Sequence, residues 1–263
     1  MQATILYGTA WKEDRTAELV RLALEQGFRG IDTANQRRHY FEAAVGEAVA
    51  AFGDRAALFL QTKFTYVRSQ DERIPYDPKA SFANQVRQSF ASSLEHLKTT
   101  YIDSYLLHGP SGSGPLSSAD WEVWETMQAL QKEGAARQIG ISNVSLAQLA
   151  ELCRKQKPAF VQNRCYARTG WDREVRALCR ANGITYQGFS LLTGNARELN
   201  QLAVREISTR SRKTLAQVVF RFALELGMLP LTGTTSAVHM REDLRLDFEL
   251  TGAEIQTLER IAG

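Results

Sequence analysis

Short apolar runs and longer stretches of helical spacing alternate along the chain from end to end. The runs read as strands and the periodic stretches as amphipathic helices. Residues 3–7 predict a first strand that ends at Gly8. Residues 15–26 then carry Ala17, Val20, Leu22 and Leu24 at helical spacing, and Gly27 follows as a helix-ending glycine. Residues 30–32 predict the next strand and 41–52 the next helix. The alternation continues with strand 58–62, helix 82–97, strand 102–107 and helix 119–133, closed by Gly134. Strand 137–141, helix 146–155, strand 159–162 and helix 172–182 follow, the last closed by Gly183. Strand 184–187, helix 215–226 and strand 229–231 lead into closing helices.

About eight strand–helix units in a row is the count of a closed parallel (β/α)8 TIM barrel, here one domain over residues 1–263. The competing architecture is a doubly wound open sheet, which usually carries a glycine-rich phosphate turn after its first strand. Here that strand runs into GTAWKED, with no G-x-G-x-x-G. Two irregular stretches, 64–79 and 109–118, each directly follow a strand. In a barrel that position is the C-terminal mouth, where active sites sit.

Composition narrows the classes of function only modestly. With 44% hydrophobic and 23% charged residues, the chain can bury a sizeable core. A net charge of +3 with mixed signs does not mark a nucleic-acid binder. The one basic stretch, 197–213 with Arg205, Arg210 and Arg212, reads as a solvated helix face, or more sharply as a phosphate site. Three cysteines without C-x-x-C spacing predict idle thiols in a reducing compartment and no metal centre. The first residues, MQATILYGTAWKED, have too short an apolar run for a signal peptide, and no run is long enough to span a membrane. Cytoplasm is the expected location.

Four polar residues fall at or just after strand ends. Asp32 ends GFRGID, Lys63 ends LFLQTK, His108 ends YIDSYLLH, and Tyr40 follows the second strand in RRHYFEAAVG. Each alone has an ordinary explanation: a helix cap, a surface lysine, a core histidine, a packing aromatic. Strand ends of a barrel converge on one mouth, so together they form a candidate site. The set also makes chemical sense. Reduction of a carbonyl leaves an alkoxide to be protonated. A tyrosine can give that proton, a lysine cation beside it lowers the phenol pKa, an aspartate holds the lysine, and a histidine polarises the carbonyl.

At this point the chain resembles the aldo-keto reductases. GFRGIDTA with EAAVGEAV, LFLQTKF, YIDSYLLHGP, RQIGISNVS and FVQNRCY are similar to that family's motifs and span almost the whole chain. The resemblance implies Asp32, Tyr40, Lys63 and His108 as a catalytic tetrad, and a small-molecule carbonyl as substrate. It implies Ser142, Asn143 and Gln162 as partners of a nicotinamide amide, with Gly8, Thr9 and Ala10 beside the ring. Phe189 would stack on the nicotinamide, with Ser190 at the pyrophosphate and Leu192 alongside. Thr232, Gly233, Thr234, His239 and Asp243 fall at the family's adenosine end. NADP(H) is the implied cofactor, with NAD(H) as its rival.

The pattern also departs from the family. His39, not Tyr40, stands in the usual register ahead of Glu42, and the loop NQRRH after Asp32 is longer than usual. A longer loop can return Tyr40 to its place; otherwise His39 faces the carbonyl. Tyr40 is the preferred acid because a neighbouring lysine helps a phenol ionise and hinders protonation of a histidine. Leu231 stands where the family has a lysine, and His239 near its arginine, which weakens a 2′-phosphate site. Arg241 or an arginine of 197–213 is the expected compensation. The sequence stops soon after LTGAEIQTLERIAG, where many family members carry a further loop over the substrate, so a more open mouth is expected. Trp11, Tyr66, Tyr76 and Trp121 are candidate pocket aromatics that would favour an apolar carbonyl. Two other functions compete: a nucleotide-binding barrel that senses redox state for a partner protein, and a lyase using Lys63 as a Schiff-base amine. An Asp32 partner would hold Lys63 charged, which disfavours the second.

Overall fold

The computed structural model describes residues 4–262. Its eight strands are β1 (Leu6–Gly8), β2 (Gly30–Asp32), β3 (Phe59–Phe64), β4 (Ile102–Leu107), β5 (Ala136–Ser142), β6 (Phe160–Arg164), β7 (Thr185–Phe189) and β8 (Met228–Thr232). They pair in chain order, all parallel, and β8 closes onto β1, so the expected (β/α)8 barrel is the architecture observed. The first predicted strand began at Ala3, which lies outside the described residues; β1 proper starts at Leu6. Most predicted strands stop a residue or two short of the observed C-terminal ends, because polar mouth residues such as Lys63 and Ser142 still keep strand pairing.

The outer ring begins with α1 (Thr16–Gln26), α2 (Glu42–Phe52), α3 (Phe82–His96) and α4 (Ser118–Lys132). It continues with α5 (Leu146–Lys155), α6 (Arg173–Asn182), α7 (Ala196–Leu199) and α8 (Leu202–Ser211). It ends with α9 (Leu215–Glu225), α10 (Ala237–Asp243) and α11 (Gly252–Glu259). Capping boxes at Ser117 with Asp120, Ser145 with Gln148, Thr214 with Gln217 and Thr251 with Glu254 start four of them sharply. The basic stretch forms α8, which buries Val204 and Ile207, while Arg210 pairs with Glu254 of α11. That is the solvated-face reading of the stretch. Gly46 in the EAAVG motif has a packing reason: a Cβ there would lie 1.9 Å from the carbonyl oxygen of His96, so only glycine lets α2 approach the end of α3. Among the described residues, no helix is long and apolar enough to cross a membrane, and no His/Cys/Asp/Glu group is arranged to hold a metal.

The barrel interior is layered. Low in it, Phe59 and Phe160 meet edge to face at 5.6 Å. Above them the interior turns polar. The amides of Gln61 and Gln187 bond to each other across the barrel in both directions, at 2.8 and 3.0 Å. Ser104 donates to Gln61 Oε1 at 2.8 Å, and Gln162 donates to Gln187 Oε1 at 2.9 Å. Such a layer is stable only when its groups satisfy one another.

Candidate active site

This glutamine layer is the floor on which the strand-end residues stand. Asp32 ends β2, and its register puts it beside Gln61 of β3. Gln61 and Gln162 donate to Asp32 Oδ1 at 2.6 and 3.0 Å. Lys63, two residues beyond Gln61 and therefore on the same face of β3, is fully buried. Its Nζ donates to both Asp32 oxygens, at 2.7 and 2.8 Å, and to the Thr33 carbonyl at 2.8 Å. Those three bonds use every N–H of an ammonium. Burial pulls the Lys63 pKa down, and the Asp32 charge opposes that pull.

Tyr40 and His108 complete the cluster. Backbone N–H groups of both His39 and Tyr40 bond to the Gln36 carbonyl, so the long loop after β2 folds into a turn that brings Tyr40 back over the mouth. Its ring lies edge-on to that of His108, with centroids 5.9 Å apart, and Lys63 Nζ is 5.3 Å from its centre. His39 stacks on Trp11 at 3.9 Å and lines the cleft beside the cluster. The structure thus brings Asp32, Lys63, Tyr40 and His108 together and leaves His39 at the rim. His108 Nδ1 is 2.7 Å from Thr65 Oγ1. Burial and the nearby Lys63 charge push the His108 pKa down to about 3, so its imidazole is neutral at physiological pH.

One electrostatic expectation needs correction. Lys63 was to lower the phenol pKa of Tyr40. Instead burial raises it well above the usual tyrosine value, Asp32 raises it further, and only Arg164 acts in the opposite direction. The reason is geometric: the Asp32 carboxylate paired with Lys63 brings a negative charge up to the phenol along with the ammonium, and burial penalises the phenolate whatever lies beside it.

The residues assigned to a nicotinamide surround this cluster, with several side chains already engaged. Gly8 ends β1 close to Thr232, where a Cβ would sit 3.4 Å from the Thr232 carbonyl, and Ala10 is half-buried in the following turn. Thr9 is buried, and its hydroxyl donates to the Asp32 carbonyl at 3.0 Å. Ser142 donates to the Gln162 carbonyl at 2.7 Å. Asn143, exposed with a φ of 52°, holds the His108 carbonyl at 2.8 Å. The amide nitrogen of Gln162 is directed to Asp32 and Gln187, down into the floor. Phe189 is half-buried at the end of β7, with the Arg164 guanidinium 5.4 Å over its ring. Ser190, at φ 58°, and Leu192 begin the next loop, half-buried.

The adenosine end is a different environment. Thr232 donates to the buried Asp243 at 2.7 Å, and burial pushes the Asp243 pKa up to about 6. Gly233 and His239 are exposed, and Thr234 Oγ1 is 3.5 Å from His239 Nδ1. Arg241, an expected compensation for the missing lysine, is tied to Gln26 of α1. The ammonium that does reach this end is Lys12, which donates to the Gly233 carbonyl. Sequence reading passed over Lys12, and over Gln61, Gln187 and Thr65. The signal for Gln61 was present, since a lone glutamine two before Lys63 shares its face of the strand.

The cleft beside the cluster has a volume of about 880 Å³ and runs over the loops after β2, β3, β4 and β5. Its wall mixes polar side chains with about as much apolar surface, and few of the expected aromatics are in it. Of the four candidate aromatics only Tyr66 lines it, with its hydroxyl donated to Asp120. Tyr76 is buried against the Thr65 carbonyl, Trp121 packs under Lys155, and Trp11 is 67% exposed.

Comparison with known proteins agrees with this geometry. Residues 1–262 match the family model described as Aldo/keto reductase family. A D-galacturonate reductase of Fragaria ananassa is 31% identical over 91% of this chain and 79% of its own length. The crystal structure of an aldo/keto reductase from Brucella melitensis is 26% identical, covers 98% of this chain and 94% of that chain, and superposes with a TM-score of 0.84. A Bombyx mori aldo-keto reductase solved in complex with NADP shares the fold at 24% identity, with a TM-score of 0.82 over 98% of this chain and 88% of that one. With an eight-stranded barrel, a buried ion pair at its mouth and a family match across its length, the chain belongs to the aldo-keto reductase family.

Proposed function

We propose that this chain, working as one domain, reduces an aldehyde or ketone to an alcohol with a reduced nicotinamide cofactor, and that Tyr40 is the proton donor. The observation that carries this reading is the stack of Asp32 and Lys63 under Tyr40, with His108 against the tyrosine ring. Members of the family use nicotinamide cofactors, and the residues here suit one. The Asn143 side chain is exposed at the mouth, the Phe189 ring offers a face at the end of β7, and Ser190 opens the next loop. Bound there, the reduced nicotinamide supplies the hydride.

The protein's own part is to hold the carbonyl and move one proton. His108 is neutral, and in the tautomer in which the Thr65 hydroxyl donates to Nδ1 its Nε2 carries the proton and can donate to the carbonyl oxygen. Tyr40 stays protonated at neutral pH because burial and Asp32 disfavour its phenolate. As the oxygen gains negative charge it becomes a stronger base than a phenolate, and takes the Tyr40 proton. Lys63 and Asp32, locked to the floor, fix the place where that happens.

NADP(H) is the proposed cofactor, supported by the NADP complex of the Bombyx mori protein and by Lys12 and the threonine hydroxyls at the adenosine end. NAD(H) is the second reading, favoured by Leu231 and by Arg241 being held on α1. The test is NADPH oxidation with an activated aromatic aldehyde, repeated with NADH. Tyr40→Phe is expected to lower kcat by roughly 10²–10⁴-fold, the worth of a general acid, and His39→Ala by much less. Turnover that survives Tyr40→Phe but not His39→Ala would overturn the assignment of the acid. Nucleotide binding without turnover of any carbonyl would replace the reductase reading with that of a sensor.

A further inference from the structure

The loop between Asp32 and Tyr40 is where this chain departs from its family's usual length, and the departure places new groups at the cleft. The turn around Gln36 that returns Tyr40 to the mouth also sets Gln36, Arg38 and His39 along the wall of the cleft. Arg37 stacks on Phe41 at 3.9 Å, and His39 stacks on Trp11. Arg38 does neither. It is exposed, lines the same cleft as His108 and Asn143, and makes no hydrogen bond or ion pair among the described residues.

The rest of the cleft wall sharpens the imbalance. Arg68 also lines it, tied to the Pro110 and Ser111 carbonyls by one N–H from each terminal nitrogen, so it adds a held positive charge. No aspartate or glutamate is among the lining residues. The nearby carboxylates are matched: Asp71 is paired with Arg73, and Asp120 accepts from Tyr66, Ser111 and Ser117. On the far side, Arg164 at the end of β6 is exposed and its charge reaches Tyr40. The mouth therefore has surplus positive charge, and the Arg38 guanidinium there has no protein partner among the described residues.

We propose that the substrate is a carbonyl compound carrying a carboxylate, held by Arg38 while Tyr40 and His108 hold the carbonyl. This rests on the reductase reading. A planar guanidinium matches a carboxylate with two parallel N–H donors. A phosphate can accept the same fork, but no lysine lines this cleft as a further phosphate donor.

The test compares kcat/KM for 4-oxobutanoate and for its methyl ester, which keeps the aldehyde and removes the charge. The acid is expected to be preferred about tenfold at low ionic strength, the size of one charge-assisted pair at an exposed site. Arg38→Gln should bring the acid-to-ester ratio close to one, and Arg38→Lys should restore part of it. Added salt should lower the wild-type ratio, because exposed charges are screened. Arg87→Gln, on the outer face where Arg87 pairs with Glu133, removes the same charge far from the cleft and should leave the ratio as it is. An ester turned over as well as the acid by wild type, or a ratio unchanged by Arg38→Gln, overturns the proposal while leaving the reductase reading intact. Failure of both substrates with either nucleotide in a folded protein would instead sink the reductase reading, and this proposal with it.

Discussion

The two sides of the barrel mouth are built on opposite principles. On the side of β2, β3 and β4, Asp32 and Lys63 are buried, bonded to a glutamine floor and placed by strand register. On the side of β8 and α10, Gly233, Thr235 and His239 are exposed, and the buried Thr232–Asp243 pair lies beneath them. A group whose charge is buried among fixed partners cannot be exchanged without leaving another group unsatisfied. An exposed position can be exchanged at little cost to folding. That contrast explains why the first side keeps the residues the family resemblance implies, while the second has Leu231 and His239 in place of fixed cations.

The largest expected effect breaks the first side. Lys63→Met removes the cation from a pair whose side chains are 1% and 4% exposed. It leaves Asp32 facing a buried methyl, with two glutamine amides as its remaining donors. Breaking such a pair costs about 3–5 kcal/mol. Urea unfolding should show that loss, and turnover should fall below detection. Lys63→Met with near wild-type stability would mean that the floor, and not the ion pair, holds Asp32.

A smaller effect tests the buried part of the second side. Burial raises the folded-state pKa of Asp243 from 3.8 to about 6. Below pH 3.8 the carboxyl is protonated in both folded and unfolded chains and carries no penalty. As the pH rises from there to about 6, the unfolded chain ionises first, and stability falls. Above that window the loss is complete, about 2–3 kcal/mol at about 1.4 kcal/mol per pKa unit. Asp243→Asn keeps an acceptor for Thr232 and has no proton to lose. It should therefore be more stable than wild type at pH 7 and equal to it near pH 3. Denaturant unfolding at both values checks this; an Asn variant less stable at pH 7 would show that Thr232 needs a charged acceptor.

The same contrast governs what the sequence disclosed. Strand-end polar residues stood out because apolar runs frame them, and the barrel follows from their regular alternation. Gln61 shares the strand face of Lys63, but its pairing with Gln187 was not legible, because the two lie across the barrel and only closure brings them together. The basic stretch was legible as a solvated helix face, but not the buried Val204 and Ile207 by which α8 packs, because charge dominates the stretch. The length of the loop after Asp32 was visible, but not its effect. Whether Tyr40 or His39 turns inward depends on the bonds to the Gln36 carbonyl, which no side-chain pattern encodes.

The smallest effect belongs to the exposed part of the second side. Leu231→Lys restores a cation beside Thr232 at a half-buried position on β8, close to where Lys12 meets Gly233. If the lack of that cation limits recognition of a 2′-phosphate, the variant should raise the NADPH-to-NADH ratio of kcat/KM about tenfold, the gain of one charge-assisted contact. The gain should shrink with salt, and NADH turnover should change little, because the new charge has no phosphate to meet in that cofactor. The double variant Leu231→Lys with Lys12→Met separates two cases. If Lys12 already serves the phosphate, its removal should cancel much of the gain. An undiminished gain would place Lys12 outside the nucleotide's reach, leaving it as a strut between the β1 and β8 turns.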